Sequence, residues 1–145
     1  LGRRTYDIFA GYWPSKGDTF PIAAKLNSVP KFVVSRSVPD PAWEGTTALA
    51  DVTQVQALKD RFTEIHVIGS GHLIRSLLEA DLVDRLSLFL YPLTLGSGKR
   101  LFAQGTGVPA AFRRAQPPQG FPKGATWLVY ERDGDPVTGI DMDRM

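Results

Sequence analysis

EIHVIGSGHLIRSLLEADLVDRLSLFLYP, residues 64–92, reads as four pieces in succession. An apolar strand at 65–68 runs into the turn Gly69-Ser70-Gly71. A helix over 72–80 follows, with Leu73, Ile74, Leu77 and Leu78 in one stripe. A second strand, 86–91, is nearly all apolar, which predicts cover on both faces. Two strands separated by about one helix length predict a βαβ unit with parallel strands and a right-handed crossover. The glycine turn places bare N–H groups and the positive end of a helix at one point, where a phosphate can sit.

Outward from this unit, residues 5–13 carry Tyr6, Ile8, Phe9, Tyr12 and Trp13 at helical spacing, and Pro14 stops the helix. PSKGDT (14–19) is loop, and 20–27 forms a short helix with Pro21 in its first turn. KFVVS (31–35) is a strand, the proline-bearing 37–45 a surface connection, and 46–49 a short strand. Asp51 is placed to cap a helix through Val55, Leu58 and Lys59. Beyond the central unit, 111–116 and 126–132 read as an antiparallel pair joined by a wide hairpin, PPQGFPKG. The fold class predicted is α/β, a mixed, mostly parallel sheet flanked by helices. One domain is expected over 1–133, with a frayed polar tail at 134–145.

Composition narrows the function. With 145 residues, 43% hydrophobic and 22% charged, the chain can bury a core of its own. Cysteine is absent and the histidines are two, His66 and His72, so no metal centre is expected. No apolar run reaches the ~18 residues of a membrane span, and no signal segment is visible, so the expected location is cytoplasmic. The net charge of +2 conceals a modestly basic body, because the last fifteen residues hold five acids and two bases. That balance suits an anionic small ligand, but it lacks the basic stripe with interleaved aromatics of a nucleic-acid binder.

Two familiar glycine motifs are tested and fail. A Rossmann fingerprint needs a third glycine where Ile74 stands. A P-loop ending at Gly96-Ser97-Gly98-Lys99 needs glycine at Leu93 and a hydroxyl at Arg100. What survives at 96–98 is a loop that could line a substrate site. Gly2-Arg3-Arg4-Thr5 opens a helix with two guanidinium forks. Ser35-Arg36 follows a strand end, where α/β sheets commonly carry ligands. His66, inside a strand, reads as a hydrogen-bonded core residue, and His72 sits in the first turn beside the glycines.

Taken together, LGRRTY (1–6), KFVVSRS (31–37), IHVIGSGHLIRSLLEADLVDRLSLFLYP (65–92) and LGSGKRLF (95–102) resemble the dihydrofolate-reductase-like superfamily. The nearer match is to the reductase domain of riboflavin-biosynthesis deaminase-reductases and its stand-alone relatives. The resemblance implies an NADPH site. Gly2, Arg3, Arg4 and Thr5 would face the cofactor phosphates, and Ser35 and Arg36 the adenosine and its 2′-phosphate. Gly69, Ser70, Gly71, His72, Leu73 and Ile74 would wrap the pyrophosphate and nicotinamide side. Gly96, Ser97 and Gly98 would border the substrate. Many dihydrofolate reductases have a second glycine where Ser70 stands. The family's first strand and acidic substrate-site residue precede the GRxT segment, so this sequence is expected to lack that strand and names no catalytic residue.

The implied chemistry is hydride transfer to a C=N or C=O group. The acceptor would be 5-amino-6-(5-phosphoribosylamino)uracil, whose ribose becomes a ribityl chain, or else a dihydrofolate or pterin. A nucleotide-binding dimeric module without turnover has the same motifs. The family also implies a homodimer.

Overall fold

The computed structural model describes residues 1–17, 19–40, 42–102, 108–137 and 139, in two compact units, Leu1–Leu82 and Val83–Met145. The first unit contains α1 (Arg3–Ala10), a 3₁₀ turn (Pro14–Lys16), α2 (Pro21–Ser28), β1 (Lys31–Val34), β2 (Thr46–Leu49), α3 (Gln54–Lys59) and α4 (Gly71–Glu79). β1 and β2 pair in parallel, from Lys31 opposite Thr46 to Val34 opposite Leu49. Leu1 lies along the other edge of β1: its nitrogen donates to the Phe32 carbonyl at 2.7 Å, and Val34 N–H donates back to the Leu1 carbonyl at 2.9 Å.

α1 is built by apolar spacing. Tyr6 is buried, and Phe9, Ala10 and Trp13 pack beside it against Val33 and Trp43. The Tyr6 hydroxyl satisfies its own burial: it accepts from Trp43 N–H at 2.7 Å and bonds Thr46 Oγ1 at 3.1 Å. Helix, strand and connection are thereby fixed around one phenol.

Lys31 is the buried charge of this unit, 6% exposed. Its ammonium donates to the carbonyls of Asn27 (2.8 Å), Val29 (2.9 Å) and Glu44 (2.9 Å), and lies 4.6 Å from the Trp43 ring centroid. It ties the end of α2 to the approach to β2. Burial pulls its pKa below the usual lysine value, opposed by the nearby Glu44 carboxylate.

The second unit is an antiparallel sheet of β3 (Arg85–Leu90), β4 (Phe112–Arg114), β5 (Gln119–Gly120) and β6 (Thr126–Arg132). β6 pairs with the other three, facing β3 from Arg85–Glu131 to Leu90–Thr126. Glu131 is gripped by two guanidiniums, Arg85 from β3 and Arg113 from β4. On the same sheet Phe89 lies against Trp127 and Phe121, and Trp127 Nε1 donates to Ser87 Oγ.

Several expectations are corrected. The paired strands are one parallel couple and one antiparallel sheet, so a mostly parallel sheet is not what forms. Residues 65–68 enter no strand, and β3 pairs antiparallel with β6, so no βαβ unit spans α4. Apolar periodicity reports that a segment wants burial and leaves the partner unspecified. β3 is not covered on both faces: Phe89 is 55% and Leu90 61% exposed. His66 is exposed, within 3.4 Å of Glu64, instead of lying in the core. α3 starts after Thr53, and Asp51 accepts from the Thr53 N–H and hydroxyl, closing the turn before the helix.

The C-terminal antiparallel pairing of β4 with β6 is as predicted, with β5 inside the wide hairpin. In the 134–145 segment, Gly134 still accepts from Ala111 N–H, whereas Thr138 and 140–145 lie outside the described residues. Among the described residues no helix is long and apolar enough to cross a membrane.

Candidate cofactor site

Within the first unit, three sequence-distant motifs meet. Gly2 is the N-cap of α1 and Ser70 the N-cap of α4, and neither caps its own helix with a side chain. The Ser70 hydroxyl instead accepts from Gly2 N–H at 2.9 Å and donates to the Ile68 carbonyl at 3.2 Å. The Ser70 N–H donates to Thr5 Oγ1 at 3.2 Å. GRRT and GSG are thus one structure.

The turn favours glycine at its first position. Gly69 has φ +60°, and a Cβ there would lie 3.6 Å from the Thr5 methyl. Ser70 is also left-handed, at φ +56° and ψ +44°, which costs an L-residue roughly 1 kcal/mol. Past it, Leu73 is buried, so only its backbone can face a ligand; Gly71 and Ile74 are half-buried and His72 is exposed.

The third motif joins through Arg3. Its Nη1 donates to Ser37 Oγ (3.1 Å), the Ser37 carbonyl (3.3 Å) and Ser35 Oγ (3.5 Å), and its Nε donates to Asp7 at 2.8 Å. Arg3 therefore works as a strut between α1 and the end of β1. Arg4 and Arg36 are exposed, and among the described residues neither side chain has a hydrogen bond or ion pair.

Sequence reasoning missed Ser37 and Asp7. The Arg3–Asp7 spacing is a helical i,i+4 pair and could have been read. Nothing in the order of residues marks Ser37. Gly96, Ser97 and Gly98 lie in an exposed loop of the second unit.

The chemistry available is anion binding. The first-turn N–H groups of a helix have no intrahelical acceptor, and here the starts of α1 and α4 are hydrogen-bonded to each other. Arg4 and Arg36, without a side-chain bond among the described residues, add bidentate donors. These residues fit a phosphorylated dinucleotide. A cavity of about 530 Å³ in the same unit is lined mainly by apolar groups such as Phe32, Val34, Leu58, Phe62 and Val67. It includes Leu73 but none of the other residues assigned to the cofactor.

Comparison with known proteins bears on the fold and the family. A crystal structure of a riboflavin biosynthesis protein from Shewanella sp. PV-4 superposes with a TM-score of 0.68 at 23% identity, covering 92% of this chain and 72% of that one. At that identity the likeness establishes the fold. No curated protein matches the sequence. The profile of the RibD C-terminal domain family matches residues 1–116. The chain, with its α1 and α4 starts joined at the glycine turn, belongs to the RibD C-terminal domain family, a family of reductases in riboflavin biosynthesis.

Proposed function

We propose that the protein is an NADPH-dependent reductase acting on a C=N or C=O group of a small heterocyclic substrate, with 5-amino-6-(5-phosphoribosylamino)uracil as the first candidate. The observation that carries the reading is the junction of the two helix starts by the Gly2–Ser70 bond, in a chain whose family is one of reductases in riboflavin biosynthesis.

When bound, the nicotinamide supplies a hydride from its C4. The protein's share is binding, orientation and exclusion of water. Backbone N–H groups at 3–5 and 71–73 would hold the diphosphate. Arg36 and Arg4, exposed and unpaired among the described residues, would meet the adenosine 2′-phosphate, which favours NADPH over NADH. Arg3, engaged by Ser37 and Asp7, would hold this frame open without contacting the ligand.

The same reading includes a homodimer. Phe89, Leu90, Tyr91, Leu93 and Leu95 are each more than half exposed in succession along one segment of the second unit. Exposed apolar side chains of that kind suit burial against a second copy.

Titration of NADPH against tryptophan fluorescence tests binding, and absence of quenching at millimolar cofactor rejects the proposal. Stopped-flow oxidation of NADPH with the pyrimidine phosphate and with dihydrofolate then identifies the acceptor. Binding without oxidation by either would leave a nucleotide-binding module. Sedimentation velocity of wild type against Leu93→Asp tests the dimer, which should dissociate in the variant.

A further inference from the structure

Ser70 occupies a backbone position that glycine would adopt with less strain, at φ +56° beside Gly69 at φ +60°. Its side chain does not cap α4. The hydroxyl is committed elsewhere, accepting from Gly2 N–H at 2.9 Å and donating to the Ile68 carbonyl at 3.2 Å. Glycine at 70 would relieve the strain and keep the N–H bond to Thr5, but both hydroxyl bonds would vanish. Strain persists where the surroundings over-determine it, and an observed outlier of this kind points to a task for the side chain.

We infer that Ser70 is a positioning residue whose hydroxyl clasps the start of α1 to the start of α4, presetting one cradle for the diphosphate of a dinucleotide. The inference rests on the cofactor reading above and deepens it. Both hydrogen-bonding roles of the hydroxyl are filled by protein, so Ser70 acts through Gly2 and the turn. Helix starts are like ends of two dipoles and repel each other when brought close. A bond between them holds the geometry before the anion arrives, so binding does not carry the cost of assembling it. Thr5 completes the clasp from the other side by accepting the Ser70 N–H at 3.2 Å.

Ser70→Gly in the whole protein is the test, read by NADPH affinity, melting temperature and hydrogen exchange of the Gly2 amide. The expected result is an NADPH affinity about tenfold weaker, the scale of a lost hydrogen bond or two. The melting temperature should hold or rise, since the left-handed strain is gone, and Gly2 should exchange faster in the free protein. A simple structural role would lower stability and affinity together. Thr5→Val should weaken NADPH in the same direction, with Thr5→Ser, which keeps the acceptor, recovering much of the loss. NADPH affinity unchanged in Ser70→Gly overturns the positioning role whatever Gly2 does. If wild type does not bind NADPH, the cofactor reading is what fails. Exchange at Gly2 then decides the clasp itself: acceleration in Ser70→Gly supports it and no change overturns it.

Discussion

Arg3 donates to the Ser37 hydroxyl at 3.1 Å across 34 residues of chain, while its Nε holds Asp7 at 2.8 Å. Of the three arginines assigned to the cofactor, Arg3 is thus the one already engaged by protein. Among the described residues, Arg4 and Arg36 are left with donors to offer.

Replacing Arg36 or Arg4 by alanine should therefore weaken NADPH more than NADH, by about 1–3 kcal/mol for the arginine that meets the 2′-phosphate. Arg3→Ala should weaken both cofactors alike and lower the melting temperature. Parallel titrations with the two cofactors measure this, and equal losses in both Arg4→Ala and Arg36→Ala would show that neither reads the 2′-phosphate.

Gly69→Ala places a methyl group on a backbone at φ +60° and 3.6 Å from the Thr5 methyl. The cost should be roughly 1 kcal/mol of stability from the left-handed conformation, with a fall in cofactor affinity as the turn shifts. Urea unfolding checks the first, and an unchanged midpoint would mean that the turn relaxes freely.

Lys31→Met removes the donor from three carbonyls, those of Asn27, Val29 and Glu44. Buried acceptors left unsatisfied should cost about 2 kcal/mol or more in total, although desolvation of the ammonium is relieved at the same time. Equal stability of the variant in denaturant titration would show that relief of desolvation and water at the three carbonyls together offset the lost bonds.

Glu131 gives a pH prediction with a definite sign. Its hydrogen bond to Arg85, opposed by some desolvation and helped by the charges of Arg113 and Arg85, holds its pKa below the ordinary value of 4.5. A carboxyl depressed in the folded state contributes stability above its unfolded pKa and loses it as pH falls through the folded one. Wild type should exceed Glu131→Gln in melting temperature at neutral pH, and the gap should close below pH 4.5. A gap independent of pH down to pH 2 would remove the ion pairs as its cause.

Much of the junction between the two helix starts was legible because its parts are local. A left-handed glycine, a helix start and an arginine pair each leave a short signature, and Gly2, Thr5, Gly69 and Ser70 do meet. The helices α1 and α4 follow from apolar spacing, α2 is read with Pro21 in its first turn, and the strands β1, β2 and β6 follow from short apolar or β-branched runs. Predicted pairing was less secure. Residues 65–68 and 86–91 look alike in composition, yet the first enters no strand and the second pairs antiparallel with β6.

The sequence alone determined the family and most of the elements, and it nominated the residues for an anion, since propensity, spacing and motif are properties of neighbours along the chain. Tertiary structure decided which arginine became a strut, which lysine was buried, and that the serine of the glycine turn would bond the first helix instead of capping its own. Those outcomes depend on which groups arrive within about 3 Å of one another. Hydrogen bonds across 34 or 68 residues leave no periodic trace in the chain that makes them.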